Sequence, residues 1–180
     1  FNILLAAISV VFGWLAYTTK QKFLKIMFLG IWIFFLPNTL YIFTDLLHLP
    51  RQFAKSDMFL RTVIILQYLI LEAIGFASFI LAVLPFEKIL KQTMLNEKKH
   101  FITFSLIALN FIVGFGIVLG RIKGANSWEI FTETERIVTQ SIGILSSFDL
   151  VFLVLWFGAL GNLVYFLYKS IKPSRKDTPC

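Results

Sequence analysis

Asn38, Tyr41, Asp45 and His48 are spaced three, four and three residues apart. On a continuous α-helix that spacing puts all four on one face. Asp45 and His48, one turn apart, suit a carboxylate that orients an imidazole for proton transfer. They also suit two ligands of a metal ion of unassigned identity, with the remaining ligands supplied from elsewhere. The plainer alternative is an interfacial cap, in which both residues simply end a helix in water. Pro37 precedes the group and has no N–H to give the carbonyl of Ile33, so the helix should loosen at the start of this stripe.

Other polar residues stand in apolar surroundings. Glu72 sits near the middle of a long apolar stretch. An ionisable group at such a depth costs at least ~2.5–3.5 kcal/mol on insertion scales and is a functional candidate by default, here for a proton or a cation. Its alternative is a protonated carboxyl hydrogen-bonded between helices. Arg121 closes another apolar stretch, as an anion clamp or a snorkelling anchor. Asp149 opens the last one, as a ligand group or a favourable charge at a helix N-terminus. Asn126 and Trp128 lie just beyond Arg121 and join the candidate ligand-binding set. Gln67 and Asn110 read as interhelical glue. His100 falls in a basic loop, where solvation accounts for it.

These residues need helices to hold them in place, and composition says which kind. The chain has 180 residues, 58% hydrophobic and only 15% charged, with 21 Phe. A soluble domain carries about 25% charged residues. The excess apolar surface fits a bilayer, which a helix of about 20 apolar residues can span. Five such stretches appear, about 1–17, 26–44, 61–84, 101–120 and 148–168. The third is expected to stop at Pro85, leaving Glu87, Lys88 and Lys91 in a loop. The mixed segment 45–60 and the polar segment 121–147 separate the others. In the latter, Asn126 with Glu129 and Thr132 with Glu135 have capping-box spacing. Ile130, Phe131, Ile137, Val138 and Ile142 give it an apolar side, so one or two short helices should lie on the membrane surface. The expected fold is therefore all-α: a multi-pass transmembrane helical bundle of about five spanning helices plus a short interfacial helix. A helical domain covers residues 1–168 and a basic cytoplasmic tail covers 169–180. The first stretch lacks a basic start and a small-residue cleavage pattern, so it is not read as a signal peptide.

The formal net charge is +7, but Lys and Arg cluster between apolar stretches, which marks topology and argues against nucleic acid as a partner. Lys20, Lys22, Lys25, Lys88, Lys91, Lys98, Lys99, Lys169, Lys172, Arg175 and Lys176 fall on one side. Only Arg51, Lys55, Arg61, Arg121, Lys123 and Arg136 fall on the other. The excess places the tail in the cytoplasm and the Arg121 side outside the cell membrane. The lone Cys180 forms neither an internal disulfide nor a Cys-based metal site. Gly116 and Gly120 form a G-x-x-x-G pair suited to close helix packing. There is no H-E-x-x-H, G-x-S-x-G or P-loop, and no cofactor is indicated.

The strings PNTLYIFTDLLHL at Pro37–Leu49 and GIVLGRIKGANSW at Gly116–Trp128 resemble two signatures of the bacterial integral membrane proteins grouped as domain of unknown function 1361. Thr39-Leu40 stands where that family usually has Ala-Pro, and Gly124-Ala125 where it has Arg-Trp. The resemblance implies a membrane location and a shared polar surface, and no activity. Three functions fit the residues. One is an outward-facing polar site for a lipid headgroup or lipid-linked ligand, binding or enzymatic, with Asp45 and His48 as candidate catalytic pair. Another is a small transporter or ion-coupled subunit using Glu72. The third is a structural partner of a membrane-protein complex.

Overall fold

Two prolines shape this bundle: Pro37 stands at the junction of two helices, and Pro85 sits inside one. The computed structural model describes residues 2–54, 56–93, 99–125 and 129–171. Helix α1 is Asn2–Thr18 and α2 is Lys22–Phe35. Then come α3 (Asn38–Thr44), a 3-10 turn (Asp45–His48) and α4 (Leu49–Ala54). The long α5 is Met58–Thr93 and α6 is Lys99–Arg121. Two short helices, α7 (Glu129–Thr132) and α8 (Thr134–Leu145), lead into α9 (Phe148–Ile171). There is no strand among the described residues.

Four helical segments are long and apolar enough to cross a membrane: Lys22–Ala54, Met58–Thr93, His100–Arg121 and Phe148–Ile171. The first apolar stretch forms only the shorter 17-residue α1. The outer surface of the bundle is apolar, with Leu66, Leu69, Ile70, Phe104, Phe152, Trp156 and Leu163 exposed, as lipid contact requires. The core is equally apolar and joins α2, α3, α5, α6 and α9 through Trp32, Leu40, Phe79, Leu106, Val113 and Tyr165.

The expected loosening falls at Pro37, and the mixed segment beyond Thr44 opens with a 3-10 turn and α4. Pro37 keeps helical angles (φ −59°, ψ −28°), but the backbone tightens behind it. The Thr39 N–H turns to the carbonyl of Leu36, and Leu40 N–H to that of Pro37. That leaves the Phe35 carbonyl without its usual partner. The Asn38 side-chain amide covers it at 3.1 Å, and the Thr39 hydroxyl reinforces Leu36 at 2.7 Å. Asn and Thr thus repair the break next to them. From Asp45 the helix narrows to 3-10 geometry, so the expected polar stripe is not one straight α-helical face.

Pro85 does not end α5, which runs eight residues further to Thr93. The expectation fails because the missing backbone donor has a substitute. Pro85 cannot bond the carbonyl of Leu81, and the Trp14 indole N–H from α1 donates to that oxygen at 3.2 Å. On the next carbonyl, Ala82, the Trp32 indole from α2 donates at 2.8 Å. Glu87, Lys88 and Lys91 are consequently helical, not loop residues.

The interfacial segment also differs in detail. Glu133, not Thr132, takes the N-cap position of α8, without a side-chain cap bond, so the second capping box does not form. Glu133 instead holds Arg136 at 2.7 Å, and Glu129 approaches the same guanidinium at 3.6 Å. The hydrogen bond that Arg136 donates to Glu133 and both negative charges raise the Arg136 pKa further. Ile137 and Ile144 face the bundle, while Val138, Ile142 and Leu145 stay exposed for an interfacial setting.

Candidate functional site

The two sequence strings singled out above pack on each other. Pro37 of α3's approach lies against Gly116 of α6, and Tyr41 lies against Gly120, one turn along each helix. A Cβ on either glycine would collide with its partner, so the G-x-x-x-G spacing is what lets α3 reach α6. The Tyr41 hydroxyl donates to the Gly116 carbonyl at 3.0 Å. On the far side of α6, Gly114 and Gly158 bring the α6 and α9 backbones together in the same way.

This contact aims the charged residues. Arg121, the last residue of α6, reaches the Asp45 carboxylate at 3.2 Å and the Thr44 carbonyl at 3.5 Å. Both charged side chains are about one-third exposed, Arg121 at 31% and Asp45 at 30%, so the pair sits at a rim rather than in the core. Glu72 lies on the buried side of α5, between Tyr68 and Gly75, and Gly75 packs on Thr39 and Ile42 of α3. One Glu72 oxygen, Oε1, is buried with no hydrogen-bond partner among the described residues, and the residue lies within electrostatic reach of Asp45.

Two clefts flank this contact. One, of about 280 Å³, is lined by Ile33, Pro37, Tyr41, Gly116, Gly120 and Ser141 among others, under α8. The second, of about 390 Å³, lies toward α9, with Phe43, Leu46, Leu153, Trp156 and Phe157 as walls and Arg121 in its lining. Both are mainly apolar. The space beside the Asp45–Arg121 pair is thus a greasy cleft with one charged edge.

The structure brings Tyr41, Asp45 and Arg121 together. Asn38 is buried and serves the helix break. Asp149 stands exposed in the first turn of α9, with no hydrogen bond or ion pair among the described residues. His48 belongs to the 3-10 turn, and its side chain lies outside the described set. Asn126 and Trp128 lie outside the described residues altogether. No group of three or more His, Cys, Asp or Glu among the described residues is placed to hold a metal ion.

Sequence reasoning missed a second polar cluster at the opposite end of the bundle. The Glu87 carboxylate, 5% exposed, accepts the Tyr165 hydroxyl and the ammonium groups of Lys91 and Lys169, each ammonium at 2.8 Å. Between the two ends, Asn110 Nδ2 donates to Asn162 Oδ1 at 2.9 Å. The available signal was the spacing of Asn162, Tyr165 and Lys169 on one face of α9. The Pro85 expectation hid it by assigning Glu87 to solvent.

The family described as "Protein of unknown function (DUF1361)" matches residues 1–164, and the chain belongs to it. No curated protein and no solved structure matches the chain.

Proposed function

We propose that this member of the DUF1361 family, an integral membrane protein, binds an anionic lipid or lipid-linked molecule at the Arg121 end of its bundle. One observation carries the reading: the Arg121 guanidinium, oriented by Asp45, lines an apolar cleft of about 390 Å³. A cation at the edge of a greasy cleft matches an amphiphile with a negative head and a hydrocarbon chain. The head meets a charge-assisted donor, and the chain meets Leu153, Trp156 and Phe157. The excess of basic residues at the other end supports an orientation with this site at the outer leaflet of the cell membrane and the tail in the cytoplasm. Asp45 and His48 are the candidate reacting pair if the bound molecule is also transformed.

The test is lipid retention by the purified protein, counted by native mass spectrometry. The probes are phosphatidylglycerol and phosphatidylcholine. Arg121→Gln and the cleft-filling Leu153→Trp should each weaken phosphatidylglycerol binding about tenfold, equivalent to about 1.4 kcal/mol. Retention unchanged in both variants would remove the reading.

A second reading, ion-coupled transport, has one observation in its favour: the buried Oε1 of Glu72, without a partner among the described residues. Proton uptake into proteoliposomes that persists unaltered in Glu72→Gln would eliminate it.

A further inference from the structure

We propose that Lys91 and Lys169, held side by side by Glu87, form a binding site for a phosphate group at the end of the bundle opposite Arg121. Both ammonium nitrogens lie 2.8 Å from the same Glu87 oxygen, Oε1. They cannot be further apart than twice that distance. Two like charges this close repel each other, and one carboxylate offsets only one of them. The second Glu87 oxygen is taken by Tyr165, so the carboxylate has little left to offer. The cluster therefore keeps a net positive charge.

The geometry is directional. Glu87 is buried behind the pair, while the Lys91 and Lys169 side chains are 56% and 37% exposed. Each ammonium has three N–H donors; among the described residues Glu87 is the only hydrogen-bond acceptor of either, and the Lys169 ammonium also lies 5.9 Å from the Phe166 ring centre. Two oxygens of one phosphate group can take donors from both nitrogens at this separation, with charge-assisted bonds. Lysines usually lose side-chain entropy when they close on a ligand. Here Glu87 has already fixed both, so less is lost on binding. Lys88 is not part of the clamp: its ammonium sits over the rings of Trp14 and Tyr17, at 4.4 and 5.1 Å. Lys91 and Lys169 come from two different candidate spans, α5 and α9. Basic pockets between spanning helices are where phosphate-bearing headgroups bind. The same chemistry would accept a soluble phosphate.

The experiment measures thermal stability of the purified full chain in neutral detergent. Phosphatidylglycerol, phosphatidylcholine, inorganic phosphate and chloride at matched ionic strength are added separately. All are measured in the Arg121→Gln background, so that the site proposed above does not contribute. The comparison variant is the triple Glu87→Gln/Lys91→Gln/Lys169→Gln, which removes the clamp without stranding a buried carboxylate. We expect a rise of several degrees in the melting midpoint that the triple variant lacks. A rise with phosphatidylglycerol only would assign the site to lipid. An equal rise with inorganic phosphate would assign it to a soluble ligand. No rise beyond that given by chloride, or a rise that survives in the triple variant, would overturn the proposal.

Discussion

The hydroxyl of Tyr41 occupies the space that a side chain on Gly120 would need, and from there it donates to the Gly116 carbonyl at 3.0 Å. With the packing of Pro37 on Gly116, this contact joins the two sequence strings and fixes the distance between α3 and α6. The Asp45–Arg121 pair lies one residue past Gly120 and one helical turn past Tyr41. The charged pair is thus set by a packing contact of uncharged atoms.

Gly120→Ala should therefore be among the most damaging small changes in the chain. Overpacking of this kind costs about 1–3 kcal/mol. Tyr41→Phe removes one hydrogen bond and should cost only about 0.5–1.5 kcal/mol. Chemical or thermal unfolding in detergent would rank them. A Gly120→Ala protein as stable as the parent would show that α3 and α6 do not approach this closely.

Trp14 and Pro85 should be energetically coupled. In the parent, Trp14→Phe strips the donor from the Leu81 carbonyl that Pro85 leaves bare. In a Pro85→Ala background the new backbone N–H can serve that carbonyl, so Trp14→Phe should matter less. A double-mutant cycle measures the difference, expected to be about 0.5–1.5 kcal/mol. Strict additivity would argue against the replacement role of the indole.

Asp45→Asn and Arg121→Gln should each fold normally. The pair is about one-third exposed on both sides, and ion pairs of that kind contribute at most about 1 kcal/mol. Lipid retention should fall far more than stability does. A loss of several kcal/mol in either variant would mark the pair as structural.

Glu72→Gln should leave the melting midpoint unchanged or raise it. Among the described residues Oε1 has no partner to lose, and an amide cannot carry a negative charge beside Asp45. A fall of more than a few degrees would mean that the carboxylate is held by something specific.

Orientation can be read by labelling. With Cys180 replaced by Ser, a cysteine at Glu133 should react with an impermeant reagent added to intact cells, and one at Lys20 should not. The reverse pattern would invert the site and place Arg121 on the cytoplasmic side.

The sequence alone determined that the chain is a helical membrane bundle, because apolar composition and segment length are local quantities that a bilayer reads directly. It also held the pairing of small residues with close helix contact at Gly116 and Gly120. It did not carry the fate of Pro85. Whether a proline ends a helix depends on whether another helix brings a donor to the exposed carbonyl, and Trp14 and Trp32 lie about 70 and 50 residues away from their targets. The same dependence hid Glu87. A lone glutamate after a proline reads as solvated, and only the packing of α9 against α5 surrounds it with Tyr165 and Lys169. In the outer cluster, spacing nominated Asn38, Tyr41, Asp45 and His48 as one face. The tertiary structure divided them, because the backbone break at Pro37 requires Asn38 as its own hydrogen-bond donor, while the glycines of α6 draw Tyr41 and Asp45 toward Arg121.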